Sequence, residues 1–434
     1  MAEIKRAKEF GLEDFDAKAN FRQVMARMRK IRAGISHHDG VPHLSKELGV
    51  DVFFGVARFV DHHTIEVNSS TGEKQLLKFS KACIATGARP RGMKVPGIED
   101  VGFFTSDTIF DLVELPEQLA VFGAGPIGVE LAQTFARLGA QVYLFFSKDK
   151  ILDKEDDDAA LLVKKQLLKD GVILVANSSI QKVRKDQSGN DVIVEYKVKE
   201  KGDEIQNVKV KTLLLALGRT PNTESLNLDA AGVKIHPQTK HVVVNDYFQT
   251  TNPNIFACGD VCLPHHQFTH AAEKTARAVV NNAFVGSLLG KIKLSSLIIP
   301  RSTYSSPEIA VVGITIREAQ EKKIEFEILT KKFNEIDRAL TDGTENGFAT
   351  ILLKKGTDKI LGAMIVSEAG AGDMLSELCL AMSENIGLSK LANVVHPYPT
   401  QADIIRLIAD GYTFRKVEDP NTQWYLKRLM KWKL

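Results

Sequence analysis

The stretch from Gln118 to Ser147, QLAVFGAGPIGVELAQTFARLGAQVYLFFS, constrains the fold more than any other part of the chain. Leu119 to Phe122 are apolar and suit a buried strand. Gly123, Gly125 and Gly128 follow as G-x-G-x-x-G. Val129 to Leu138 then carries Leu131, Phe135 and Leu138 at helical spacing, Gly139 closes the helix, and Val142 to Phe146 reads as a second buried strand. In such a strand–turn–helix unit each glycine has its own task. Gly123 makes the tight turn, Gly125 lets backbone approach a pyrophosphate, and Gly128 lets the helix pack close on the strand. The helix N-terminus offers free N–H groups and the positive end of its dipole to phosphates. The predicted ligand is a dinucleotide. An ordinary tight βα turn is the plainer alternative.

The NAD form of this unit ends its second strand with a carboxylate that holds the ribose hydroxyls. Here Phe146, Ser147 and Lys148 occupy that end, and Asp149 is the first carboxylate. Lys148 facing a 2′-phosphate would favour NADP; as a solvated loop residue it would favour neither. The choice between NAD and NADP stays open on the sequence.

The 434 residues allow two or three domains with sizeable cores. A net charge of +3 gives no reason to expect a nucleic-acid partner. Four cysteines do not make a disulfide scaffold, which points to a soluble protein of the cytoplasm or another reducing compartment. No apolar run is long enough to span a bilayer, and residues 1–16 are charged and helix-like without the apolar core of a signal peptide.

Taken in order, residues 1–36 read as helix, with Val24, Met25, Met28, Ile31 and Ile35 at helical spacing. Gly49 to Val67 reads as paired strands, and Lys81 to Pro90 as a buried strand running into the Thr86-Gly87 turn. That turn can present a hydroxyl and a close backbone to a cofactor, or be a turn and nothing more. Beyond the nucleotide unit, Ala159 to Leu168 is a predicted helix, with strands at Val172–Val175, Val192–Val198 and Val208–Leu217. Leu213 to Asn222 is a buried strand ending in an abrupt Gly218-Arg219-Thr220-Pro221 turn, the kind of strand end where ligands sit in open α/β sheets. Asn254 to Val261 ends in Gly259-Asp260; the aspartate can accept from ligand hydroxyls or cap the helix predicted over Thr269–Asn282. From Leu294 onward, strands at Thr303–Val312 and Ala349–Val366 and a helix at Met374–Met382 suggest an α+β interface domain.

Together these segments resemble the pyridine nucleotide-disulfide oxidoreductases, in particular the mercuric reductase and dihydrolipoamide dehydrogenase branch. The matching residues are Ala85-Thr86-Gly87, Gly123 to Glu130, Gly218 to Asn222, Phe256 to Val261, Gln267 to His270, Thr303 to Gly313 and His396 to Thr400. The resemblance covers nearly the whole chain, in the family's order. It implies an α/β fold: a Rossmann-like NAD(P) domain at 118–218, inserted in a split FAD domain at 1–117 and 219–292. A dimerisation domain at 293–420 and a basic amphipathic tail at 421–434 would follow. It also implies FAD held by Thr86, Gly87, Gly218, Gly259, Asp260, Gln267 and His270, and NAD(P)H held by Gly123, Gly125, Pro126, Ile127 and Gly128. Glu130 would lie beside the flavin ring, and the last third would form a homodimer interface that contributes to the partner's active site.

Three departures qualify that picture. The family opens with its own strand–G-x-G-x-x-G–helix unit for FAD, and this sequence is expected to begin after it. The family's C-x-x-x-x-C pair belongs to the same opening segment, and Cys83, Cys258, Cys262 and Cys379 do not reproduce it. The family's His and Glu dyad, aligned on Pro399-Thr400, falls on Tyr398 and Asp403. A tyrosine can donate a proton there, but with an ordinary pKa of about 10 it is a poor base at neutral pH. Glu130 would also lack the lysine that pairs with it in the family, leaving it exposed or, in an apolar site, with a raised pKa. The resemblance therefore implies a flavin-linked NAD(P)H oxidoreductase whose electrons leave to a quinone, oxygen or another small acceptor. A catalytically silent truncated fragment, or a dimerising nucleotide-binding module, is the alternative.

Cys258, Cys262, His265, His266 and His270 cluster within thirteen residues, but their spacing fits no standard zinc pattern and no metal is expected. His37-His38 and His62-His63 read as surface pairs in turns. The tail, Trp424 to Leu434, interleaves apolar residues with Lys427, Arg428, Lys431 and Lys433. It suits an anionic membrane surface, the body of the protein or a dimer mate.

Overall fold

A computed structural model describes residues 2–13, 18–418 and 420–433. Its central element is a five-stranded parallel sheet in the order Phe104–Thr105, Thr212–Leu215, Gln118–Phe122, Gln141–Phe145, Ile173–Val175. Side chains alternate along the first strand of the glycine unit, so its two faces enter different cores. Leu119 and Val121 join the helical side with Val129, Ala132 and Phe135. Ala120 and Phe122 join the opposite side with Phe145, Val183 and Val194. That opposite side is a separate antiparallel sheet of Ser178–Lys185, Val192–Val198 and Gln206–Val210. The result is three layers: helices, parallel sheet, antiparallel sheet. Each fully buried Leu, Val or Phe here stabilises the fold by about 1.5–3 kcal/mol.

The helix of the glycine unit runs Pro126–Leu138. Pro126 pre-sets the first turn, and Gly139, at φ 112°, ends it by donating to the Ala136 carbonyl. The second strand stops at Phe145 rather than Phe146, and the Phe146 N–H makes the last bond of its ladder, to the Val175 carbonyl.

Segments before and after this unit pair with one another. Ala82–Ile84 lies parallel to Ile255–Ala257, and Ala88–Pro90 antiparallel to Arg219–Pro221. A three-stranded meander of Val56–Phe59, Thr64–Asn68 and Lys74–Lys78 flanks them. The last third is a five-stranded antiparallel sheet in the order Arg301–Thr303, Glu308–Gly313, Ile360–Ser367, Phe348–Lys354, Phe326–Lys332. Helices Ala371–Ser383 and Asp403–Glu418 cover it. Its other face supplies Ile309, Val311, Met364 and Val366 to the core of the nucleotide unit, so the two regions share one hydrophobic cluster.

Several sequence expectations need correction. The single helix expected over 1–36 is a short helix at Ala2–Lys5, a 3₁₀ turn at Ala7–Phe10, and a long helix at Phe21–Asp39. Asn20 starts the long helix by accepting the Gln23 N–H at 3.1 Å, and its last turn carries the His37-His38 pair placed above in a turn. Residues 14–17, within the same expectation, lie outside the described residues. Strand pairing expected from Gly49 begins only at Val56. Lys81–Pro90 is two short strands, because Thr86-Gly87 bends the chain between sheets. Val208–Leu217 is broken at Lys211, where the chain leaves the antiparallel sheet for the parallel one. Thr303–Val312 is likewise divided around the cis Ser306-Pro307 bond.

Candidate functional site

The three glycines are not equivalent in space. A Cβ at Gly123 would lie 2.4 Å from the Ala216 carbonyl oxygen, and one at Gly128 would lie 1.9 Å from the Gly123 carbonyl oxygen. Both contacts are backbone against backbone, so helix and strand approach only because these side chains are absent. A Cβ at Gly125 would meet no protein atom within 4 Å, although Gly125 has an ordinary φ of −75°. Its bareness leaves open space in front of a helix N-terminus that no side chain caps. Uncapped N–H groups and the dipole make that space suited to a phosphate, with Pro126 and Ile127 forming the first turn.

Beside the turn lies a cavity of about 370 Å³, lined by Gly123, Ala124, Phe146, Lys148, Lys150 and Asp153 among others. The size and mostly apolar walls suit a nucleoside. Phe146 is 7% exposed and belongs to the core, so the strand end carries no acid for a ribose. Lys148 reaches the cavity and pairs there with Asp153; Lys150 pairs with Asp157. Lys150 and Asp153 line the cavity and were passed over in the sequence reading. Their position just beyond the second strand was the available signal.

The residues expected on the flavin side converge at another edge. The Thr86 hydroxyl donates to the Asn222 carbonyl at 2.7 Å, and the Asn222 N–H donates to the Gly87 carbonyl at 3.0 Å. Asp260 faces the Arg219 guanidinium at 3.3 Å. Gly259, at φ 69°, donates its N–H to Thr275 Oγ1. A Cβ at Gly87 or Gly218 would meet nothing within 4 Å, and the buried Gln267 Nε2 has no hydrogen-bond partner. Open backbone and an unused donor fit a polar nucleotide such as FAD. His270 places its Nε2 at 2.8 Å from the Pro300 carbonyl. The sequence reading also missed a thiol contact here: Cys83 Sγ lies 3.6 Å from Cys258 Sγ. No metal-capable group of three or more His, Cys, Asp or Glu occurs among the described residues.

Glu130 is half-buried and accepts the Tyr304 N–H at 2.8 Å. Burial raises its pKa, the Tyr304 hydrogen bond opposes the rise, and the Glu308 carboxylate adds to it. The alternatives set out from the sequence thus resolve to a partly sheltered carboxylate with a backbone donor in place of a cation.

Tyr398 and Asp403 line one cavity of about 240 Å³ in the last third, which shares no lining residue with the dinucleotide cavity. They are neighbours but not a bonded dyad. The Tyr398 hydroxyl donates to Asp337 at 2.7 Å, and Asp403 pairs with Arg406 at 2.6 Å. The Asp337 carboxylate raises the Tyr398 pKa further.

The tail forms a helix over Pro420–Lys433 with Trp424, Leu429 and Met430 exposed, and Leu434 lies outside the described residues. No helix among the described residues is long and apolar enough to cross a membrane.

Comparison with known proteins places these features. Residues 14–276 match the pyridine nucleotide-disulphide oxidoreductase family, and residues 299–408 match the dimerisation domain of that family. The mercuric reductase of Staphylococcus aureus is 34% identical over 366 residues, covering 84% of this chain and 64% of that protein. The chain thus spans less than two thirds of that relative. The dihydrolipoyl dehydrogenase of Buchnera aphidicola is 29% identical over 411 residues, covering 94% and 83%. Among solved structures, the HOCl-induced flavoprotein disulfide reductase RclA from Escherichia coli superposes with a TM-score of 0.79 at 25% identity, covering 94% of this chain and 88% of RclA.

Proposed function

The chain belongs to the pyridine nucleotide-disulphide oxidoreductases, whose members use FAD and NAD(P)H, and on that premise we propose that it is an FAD-dependent NAD(P)H oxidoreductase acting on a small-molecule acceptor. The observation that carries the reading is the contrast within the glycine triplet. Gly123 and Gly128 are bare because the fold needs them so; Gly125 is bare toward open space at a helix N-terminus. The triplet and the first turn of the helix bind the dinucleotide diphosphate. The edge formed by Thr86, Gly87, Gly218, Gly259, Asp260 and Gln267 holds the flavin nucleotide. FAD bound there supplies the two-electron carrier between nicotinamide and acceptor. Glu130, held by the Tyr304 N–H, presents a carboxylate that burial makes readier to hold a proton than an exposed one. The dimerisation region supports a homodimer in which Tyr398 faces the partner's site. The exposed tail helix is compatible with contact to a membrane surface.

The test is spectroscopic. Purified protein incubated with FAD and freed of excess should keep flavin absorption bands, and NADH or NADPH should bleach them without air. Absence of both bands and bleaching removes the reading. A second reading, a dimerising nucleotide-binding module, draws on Tyr398 and Asp403 each being engaged elsewhere, by Asp337 and Arg406. It is distinguished by dinucleotide binding without flavin reduction.

A further inference from the structure

The rim of the dinucleotide cavity is held from outside the nucleotide unit. The segment Leu152–Asp156 leaves the cavity wall and runs against the interface region. Leu152 donates its N–H to the Ala124 carbonyl at 2.8 Å, which ties the segment to the glycine turn. From the interface region, Arg317 donates to the Asp153 carbonyl at 2.6 Å and to the Lys154 carbonyl at 2.9 Å. Arg301 grips the Glu155 carboxylate through two bonds of 3.0 and 3.1 Å, and Glu155 is 5% exposed. The Asp156 carboxylate accepts the backbone N–H groups of Ile316 and Arg317. Asp153 on the rim and the three residues after it are therefore fixed by groups that lie more than 140 positions away in sequence.

One side chain on this segment turns back into the cavity. Asp153 lines it and pairs with Lys148, which lines it too. This is the strand end where an acid favours a ribose hydroxyl and a cation favours a 2′-phosphate. With Asp153 on Lys148, the cation is masked and a carboxylate stands where a phosphate would come.

Resting on the dinucleotide reading above, we propose that Arg317 and Arg301 are positioning residues for dinucleotide choice, acting by holding Asp153 against Lys148. Loosening the clamp frees the Lys148 ammonium for a phosphate and withdraws the acceptor from a hydroxyl. The preference for NADPH over NADH then rises.

The test is a fluorescence titration of the full chain with NADH and with NADPH. It compares wild type, Arg317→Ala, Arg317→Lys and Asp153→Asn, and reads the ratio of the two dissociation constants. A ratio cancels any general loss of folded protein, and Asp153 is a surface side chain whose replacement leaves the core intact. The ratio of the NADH to the NADPH dissociation constant should rise about three- to fivefold in Arg317→Ala and Asp153→Asn, the range an exposed ion pair supports, and return toward wild type in Arg317→Lys. An unchanged ratio in both Arg317→Ala and Asp153→Asn, with wild type binding dinucleotide, overturns the clamp alone. Wild type binding neither dinucleotide overturns the clamp together with the function it rests on.

Discussion

Gln133 and Ser306 hold each other by two hydrogen bonds. The Gln133 side chain donates to the Ser306 carbonyl at 2.8 Å and accepts the Ser306 N–H at 2.8 Å. Gln133 is 3% exposed on the glycine-unit helix, and Ser306 opens the turn of the interface sheet that also places Tyr304 on Glu130. Gln133→Leu keeps the bulk and removes both bonds together with the donation to the Asp170 carboxylate at 2.9 Å, leaving two sheltered backbone groups unpaired at about 1–3 kcal/mol each. The expected outcome is a lowered urea midpoint with an unchanged slope. An unchanged midpoint would show that water replaces the glutamine.

Alanine at Gly128 and at Gly125 should separate fold from site. Gly128→Ala places a Cβ 1.9 Å from backbone and forces helix and strand apart, so thermal stability should fall by several degrees or more. Gly125→Ala meets no protein atom and has a compatible φ, so its melting temperature should stay near wild type. Its dinucleotide affinity should drop at least about tenfold, since the methyl occupies the diphosphate's space. Equal loss of melting temperature in both variants would refute the distinction.

The Glu130 carboxyl provides a pH signature. Its pKa in the fold is raised above the ordinary 4.5, first by burial. For a group raised on folding, the stability it contributes is complete below its unfolded value and is lost as pH climbs through the higher folded value. Wild type should therefore lose stability relative to Glu130→Gln as pH rises above the ordinary carboxyl value of 4.5, while glutamine still accepts the Tyr304 N–H. Urea titrations of both proteins across that rise measure the difference, and parallel curves would contradict the assignment.

Tyr398→Phe removes one bond, to Asp337, from a side chain that is 74% exposed. Its cavity is separate from the dinucleotide cavity. Dinucleotide affinity and unfolding midpoint should be unchanged, while turnover with a small acceptor should fall. A change in affinity with no change in turnover would place Tyr398 outside the reaction.

Much of the site was legible because its logic is local. The apolar run of Leu119 to Phe122, the spacing of Leu131, Phe135 and Leu138, and the glycine triplet all lie within a few turns of chain. Strand, turn and helix there are decided by neighbours that sequence displays side by side. Local pattern misled where two elements meet end to end. Val208–Leu217 reads as one strand, yet Lys211 marks the passage from one sheet to another. Nothing in the run itself records which strands wait on either side.

By itself the sequence determined that a buried βαβ unit would form around Gly123, Gly125 and Gly128, and that the chain around it follows one family's order. Only the tertiary structure decided which of those glycines serve packing and which faces open space. It alone put Arg301 and Arg317 on the rim of the cavity and gave Tyr398 and Asp403 different partners. The physical reason is range. Backbone propensity and apolar periodicity act between residues a few positions apart, whereas close approach, ion pairing and hydrogen bonding act through space between segments whose separation along the chain carries no trace of their meeting.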